Sequence, residues 1–398
     1  MRPLRVIKPN SSARRNILRS RQALKMARSA HAYVRGSTEK FYEWLESQKR
    51  GALPEGPPVW ICGDLHAGNL GPLADAKGNV SVQIRDLDQT VIGNPAHDLI
   101  RLALSLTTAS RGSNLPGVTA AEMMEAMMEG YQDSLRSDDV LGQMPKTIAV
   151  VMRQSARRTW KQLAEERIRD STPKIPIGKK FFAISKLERR TIDRLFDDDK
   201  LRALATKLKA RENDSEIQVA DAAYWMKGCS SLGLLRYAVL VRVGSADSAT
   251  YALIDIKEAV KASAPRYKKS HMPRSNAERV VEGAKHLSPN LGERMVTADF
   301  NGHSVFIREL LPQDLKFEFD SMTRDAAVEV ARYLAMVAGR AHGQQMDDTD
   351  RRRWLRDLIA ARSKSLNAPS WLWSSVVSLV AAHEKAYLEH CRRYALAA

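Results

Sequence analysis

The sequence predicts an α+β protein, with a small antiparallel-sheet region at residues 216–315 between two helical parts, 1–215 and 316–398. Three observations carry that expectation. Apolar residues recur at helical spacing through residues 12–48, 96–111 and 119–170. Segments 237–243, 251–256 and 304–310 are rich in β-branched residues and read as strands. From residue 321 onward helical spacing returns, through 332–344 and then a final helix pair.

Taken in order, the stripe Ile17, Leu24, Ala27, Ala30 and Tyr33 marks the first helix, with Gly36 as a break. A Gly/Pro loop at 51–58 leads to a short apolar strand, 59–62, and then a Gly-containing loop, 63–71. Gly78-Asn79 is a turn before a strand at 80–84. Leu99, Leu102, Ala103 and Leu106 share a helix face. Met123, Met124, Met127 and Met128 lie at helical spacing and read as core. Residues 171–216 are the least periodic stretch and read as a linker or a peripheral helical insertion. Residues 276–286 read as a helix between strands.

The chain has 398 residues, 44% hydrophobic, enough for two or three cooperating cores. No apolar run reaches spanning length, and residues 1–8 lack the apolar stretch of a signal peptide. Three scattered cysteines argue against a disulfide framework or a zinc knuckle and fit a reducing cytoplasm. The net charge of +17 draws anions. Basic runs at Arg14–Arg28, around His271 and at Arg351–Arg353 offer contact to a polyanion, although solvated helix faces and loops explain them more simply. Only Tyr267 interleaves with these charges, which is too little for a single-strand stacking platform.

The chemistry concentrates in Gly63-Asp64-Leu65-His66-Ala67-Gly68-Asn69. Phosphoryl transfer needs a carboxylate to orient or deprotonate the attacking hydroxyl, and a neutral oxygen ligand for Mg²⁺ nearby. Asp64 and Asn69 supply both types at a five-residue spacing. Asp86 or Asp88, at the end of the next strand, offers the hard carboxylate ligand that Mg²⁺ prefers. Asp98 opens a helix, where it can cap backbone N–H groups. Each Asp alone reads as a turn or cap residue, but the ordered set is harder to dismiss.

Residues 61–104 resemble the catalytic and Mg²⁺-binding loops of aminoglycoside phosphotransferases and related small-molecule kinases. That resemblance implies Asp64 as catalytic base, Asn69 and Asp86 as metal ligands, and Asp98 as a structural helix-start residue. Cys62 stands where that family usually has His. The nucleotide-gripping parts come later in this chain. Lys227 to Gly233, with Gly228, Ser230, Ser231 and Gly233, is similar to a phosphate-covering loop. Residues 252–259 resemble the kinase strand whose lysine, here Lys257, pairs with phosphates, and Glu278 or Glu282 on the next helix is implied as its partner. Residues 306–312, with Glu309 and Leu311, resemble the last small-lobe strand and the adenine-reading hinge. Residues 334–344, with Ala341-His342, resemble the large-lobe helix that normally leads into the catalytic loop.

The implied architecture is a two-lobed protein-kinase-like fold in circularly permuted order. The whole chain also resembles the bacterial domain-of-unknown-function family 2252. It does so through Tyr33-Val34-Arg35-Gly36, Gly63-Asp64-Leu65-His66, Asp86-Leu87-Asp88, Lys257-Glu258-Ala259, 278–283 and Gly339-Arg340-Ala341-His342. Arg35 reads as structural support near the catalytic loop or as a phosphate neutraliser. His66 reads as a scaffold residue that hydrogen-bonds backbone.

Three functions are therefore expected. The first is an ATP- and Mg²⁺-dependent phosphotransferase acting on a hydroxyl of a small-molecule or protein acceptor. The positive field argues against a cationic one. The second keeps the nucleotide but changes the chemistry, as an AMP-transferase or a pseudokinase. The third is a basic protein that binds nucleic acid or an acidic partner without catalysis.

Overall fold

The computed structural model describes residues 11–113, 115–137, 144–157, 174–178, 180–206, 216–228, 232–244, 250–311, 313–314, 322–362 and 367–394. Mixed helix and antiparallel sheet, an α+β arrangement, is what these residues form. The opening helical stretch divides into α1 (Ser11–Met26), α2 (Ala30–Gly36) and α3 (Thr38–Glu46). The extra break comes at Ser29, whose hydroxyl accepts from Ala32 N at 3.1 Å and caps α2.

Strand β1 (Val59–Ile61) leads into the Asp64 loop, and β2 (Leu70–Ala74) pairs with β3 (Val80–Ile84) as a hairpin. Strand β4 (Val91–Gly93) returns antiparallel to β1, with Trp60 opposite Ile92. The loop between β3 and β4 carries Asp86 and Asp88, so the β1–β4 pairing brings it beside Asp64. Helix α4 (Pro95–Arg111) follows, capped by the Asn94 side chain at 3.0 Å from Ala96 N, with Pro95 in the first turn. Leu99, Ile100, Leu102, Ala103 and Leu106 are fully buried on it.

Helices α5 (Thr119–Arg136) and α6 (Lys146–Arg157) continue the helical body. The four methionines of α5 are buried, as core residues should be. After the sheet come α11 (Arg324–Gly343), α12 (Asp348–Ala360) and α13 (Ser370–Tyr394). Helix α11 packs along α5, and one core joins α3, α4, α5, α11, α12 and α13 to β1–β4. The helices after residue 321 thus return to the body begun before residue 160.

Residues 171–216 hold more structure than their aperiodic pattern predicts. A two-residue strand, β5 (Phe181–Phe182), is followed by α7 (Lys186–Leu195) and α8 (Asp199–Thr206). Ile192, Phe196, Leu201 and Leu204 pack on the sheet rather than on the helical body, together with Leu18 of α1. These residues before 215 therefore pack with strands that come after it. Apolar contact with the sheet, not chain order, decides where these helices lie.

The sheet has six antiparallel strands in the order β5-β6-β7-β8-β10-β9. They are β6 (Ile217–Trp225), β7 (Arg236–Val243), β8 (Thr250–Glu258), β9 (Met295–Phe300) and β10 (His303–Leu310). Helix α9 (Asn276–Leu287) and the single turn α10 (Pro289–Gly292) lie between β8 and β9. Ala277, Val280, Val281, Ala284 and Leu287 turn the inner face of α9 into the core of the helical body. Lys257 sits near the end of β8, opposite Arg236 of β7 and Phe306 of β10. No helix among the described residues is long and apolar enough to cross a membrane.

Candidate active site

The Asp64 loop is fixed at its base before it presents any chemistry. Asp98, fully buried on the first turn of α4, accepts from Cys62 N at 2.7 Å and Gly63 N at 2.9 Å. It supports the loop, while Asn94 caps the helix. His342 of α11 reaches the same carboxylate through Nε2 at 3.2 Å. Its Nδ1 meets Tyr131 OH at 3.1 Å, and Trp354 Nε1 donates to that hydroxyl at 3.3 Å. The chain of donors, Trp354 to Tyr131 to His342 to Asp98, assigns the proton of His342 to Nε2. Gly63 has φ of +72°, and a Cβ there would lie 2.3 Å from Gln89 O. Only glycine permits the loop to turn against the Asp86 loop at that point.

Asp64 is part-buried, and its carboxylate is ion-paired to Arg101, which is fully buried on α4. Asn69 closes the loop. Its Nδ2 donates to Asp86 O at 2.7 Å and lies 3.4 Å from Cys62 Sγ. Burial, and then the Asp98 charge, push the Cys62 thiol well up, so it stays protonated. Its Sγ donates to Asp86 O at 3.5 Å, so the cysteine in place of histidine still ties the two loops together.

Lys257 comes from the sheet to meet these loops. It is 1% exposed, with Nζ 3.3 Å from Asp86 Oδ1 and ion-paired to Asp88. Crowding in the cleft pushes the Asp86 carboxyl up. The Lys257 ammonium and the Arg308 guanidinium outweigh it and hold that carboxyl well below the usual carboxylate range. Burial and the Asp86 charge push Asp88 the opposite way. Asp88 Oδ1 is buried without a hydrogen-bond partner.

Glu278 and Glu282 are not brought to Lys257. Glu278 is exposed, and Glu282 pairs with Lys285 at 3.1 Å and His286 at 3.5 Å. Both lie opposite the buried stripe of α9, so helix phase turns them to solvent. The α9 residue that reaches the cleft is Arg279, 3% exposed. It donates to Thr90 O, to Asp88 O at 2.9 Å and to Val260 O at 2.9 Å. Thus α9 grips the backbone of the Asp86 loop, and Gly283 permits the approach, since a Cβ there would meet Thr90 Cγ2 at 2.4 Å.

The loop between β6 and β7 opens at the Lys257 end of the sheet, where Leu235 N donates to Glu258 at 2.8 Å. Gly228 and Gly233 lie in it, both at φ of +108°, and Lys25 holds Gly228 O at 2.6 Å. Ser230 and Ser231 lie outside the described residues. Glu309 is buried, and its carbonyl accepts from Arg294 at 2.8 Å. Leu311 N donates to Asp314 at 3.3 Å. Glu309 and Leu311, the expected hinge positions, therefore use these backbone groups internally.

His66 departs from its expected backbone hydrogen bond. Its ring is buried, and Nδ1 has no partner. Burial, followed by the Arg35 and Arg101 charges, drives it well below the ordinary histidine range. Arg35 of α2 is half-buried beside the same loop.

A family model described as "Uncharacterized protein conserved in bacteria (DUF2252)" matches residues 16–393. The chain belongs to this family. The match takes in the helical body, the sheet and every cleft residue named above. No curated protein and no solved structure matches the chain.

Three residues of the site escaped the sequence reading: Arg101, Arg279 and His342. Arg101 is three positions after Asp98 on a helix read only for its apolar face. Arg279 and His342 lay within quoted motifs but carried no assigned contact. A charged residue in phase with a buried helical stripe is the signal that marks the two arginines.

Proposed function

We propose that the chain is an ATP- and Mg²⁺-dependent phosphotransferase with a protein-kinase-like, circularly permuted architecture, acting on a hydroxyl of a non-cationic acceptor. The observation that carries this reading is Lys257 meeting Asp86 and Asp88 across the cleft, beside an Asn69 bonded to the Asp86 backbone. Protein kinases place a phosphate-pairing lysine on their third small-lobe strand, a metal-binding Asp opposite it, and an Asp…Asn catalytic loop below. Here β8 is the third long strand of the sheet after the β6–β7 glycine loop, and a helix and two more strands follow it. The order of the two lobes is rotated, which a fold tolerates when the joined ends lie close together.

The donor set suits Mg²⁺. Asp86 opens to the cleft, Asp88 Oδ1 is buried and unpartnered, and the Asn69 Oδ1 accepts no hydrogen bond among the described residues. All three are hard oxygen donors. Bound there, Mg²⁺ would offset the negative charge of the transferring phosphoryl group. Lys257 would exchange Asp86 for phosphate oxygens and keep Asp88. Asp88 takes the anchoring position that a helix glutamate holds in protein kinases. Arg101 fixes the direction of the Asp64 carboxylate, which then orients the acceptor hydroxyl.

The pairing of Asp64 with Arg101 also favours a second reading, nucleotide binding without turnover, because a carboxylate held by a guanidinium accepts a proton less readily. Calorimetry with ATP and Mg²⁺ is expected to give binding that Asp86→Ala abolishes. Absence of binding to wild type at high micromolar ATP refutes both readings. Asp64→Asn is expected to keep binding and lose turnover. Binding by wild type with no turnover on any acceptor selects the second reading. The product mass separates a gain of phosphate from a gain of AMP.

A further inference from the structure

Beside Asp64 the structure buries more positive charge than its own carboxylate balances. Arg101 is fully buried and gives Nη2 to Asp64 and, at 3.3 Å, to Val34 O. Its Nε and Nη1 have no hydrogen-bond partner. The Arg35 side chain makes no hydrogen bond or ion pair among the described residues, and its Nε is buried. The buried, unpartnered Nδ1 of His66 completes the group. Buried polar atoms without partners are costly and call for a ligand or a function.

Gly68 lies between these side chains. A Cβ there would stand 3.4 Å from Arg35 Cζ and 3.4 Å from His66 Nδ1. Gly68 is not among the residues with positive φ, so its backbone does not demand glycine. The missing side chain leaves the guanidinium and the imidazole open to this point of the loop, with room for no more than a methyl before they move.

We propose that this space is a subsite for a phosphoryl group carried by the acceptor, gripped by Arg35 with Arg101 and His66 behind it. The guanidinium fork matches a phosphate oxyanion in two-point geometry. The word acceptor rests on the phosphotransferase reading. The Asp64 side chain turns toward Arg101, whereas its carbonyl is 3.5 Å from Asn69 Nδ2 on the side of Asp86 and Lys257. The cluster therefore adjoins the Asp64 carboxylate, the group that would orient the acceptor hydroxyl.

The test titrates inorganic phosphate and methyl phosphate into the full chain by calorimetry, without nucleotide or metal. Both are expected to bind. Arg35→Gln should weaken binding at least about tenfold, the loss of one charge-assisted pair. Gly68→Ala fits sterically, so the chain folds, but it should weaken binding by filling the space. Asp64→Asn should strengthen binding several-fold, because it frees Arg101 from a competing carboxylate. That gain separates the effect from damage to the fold. Unchanged binding in both Arg35→Gln and Gly68→Ala, or rejection of methyl phosphate, overturns the proposal. Absence of ATP binding with the Arg35 response intact overturns the phosphotransferase reading alone.

Discussion

Asp98→Asn tests whether the Asp64 loop is held from beneath by a buried charge. The carboxylate takes Cys62 N at 2.7 Å on one oxygen and Gly63 N at 2.9 Å on the other, with His342 at 3.2 Å on the first. Asparagine keeps the shape but has one oxygen. Whichever way the amide turns, its NH₂ faces a donor, and at least one buried N–H loses its partner. An unsatisfied buried donor costs about 1–3 kcal/mol, and losing the charge on the remaining bond costs about 1 kcal/mol more. The expected loss is about 3 kcal/mol, a fall of about 1 M in urea midpoint at a slope of about 3 kcal/mol per molar. Tryptophan fluorescence during urea unfolding measures it. If turnover is found in the wild type, it should drop about a hundredfold, as expected for a misplaced reacting group, while nucleotide affinity changes much less. A loss below about 0.5 kcal/mol would mean that the loop is held by other contacts, and the reasoning would fail.

Asp255 is fully buried between Arg236, at 2.8 and 2.5 Å, and Arg308, at 3.2 Å. Asp255→Asn leaves two buried guanidinium groups facing each other and should cost about 3–5 kcal/mol in urea unfolding, so a loss under about 1 kcal/mol contradicts it. Gly63→Ala puts a Cβ at 2.3 Å from Gln89 O on a backbone at φ of +72°, and should lower stability by at least about 2 kcal/mol, with a wild-type melting curve as the contrary result. Glu188 is stabilised in its charged form: burial raises its carboxyl, but Arg14 and Ser185 N more than offset it, to about 2 against an ordinary 4.5. Its contribution, at most about 3 kcal/mol, is present above pH 4.5 and lost as pH falls toward 2. Stability measured across that range should slope less in Glu188→Gln, and equal slopes would deny the ion pair this role.

The architecture was legible where the chain repeats a strong period. Residues 96–111, 276–286 and 332–344 have apolar stripes that only a helix can bury together, and the structure forms helices there. β-branched runs gave β7, β8 and β10. Strands β6 and β9 are not legible in the same way. Gln218, Asp221 and Ala222 dilute the pattern of the first, while Thr297, Ala298 and Asp299 dilute the second. Both lie toward the margins of the sheet, where half the residues meet solvent and the sequence is less constrained. The helices at 186–206 carried the charge of a solvated segment. Their few buried residues, Ile192, Phe196, Leu201 and Leu204, attach to a surface formed by strands far along the chain.

The site shows a sharper division. Asp64, Asn69, Asp86 and Lys257 were legible because loop chemistry depends on residue type and short spacing, which a sequence displays directly. The structure gathers all four around one cleft. Who pairs with Lys257 was not legible from type, since a carboxylate is available on either side. Helix phase decides it: α9 buries Ala277, Val280, Val281 and Ala284, which sends Glu278 and Glu282 outward and Arg279 inward. An arginine at that position cannot anchor a lysine. It instead binds three carbonyls of the loops around the cleft, and the anchoring charge must come from the loop, as Asp88. The lysine partner and the inward residue of α9 are therefore one choice, and exchanging Arg279 for glutamate would strand a carboxylate among carbonyl oxygens rather than restore a helix–lysine pair.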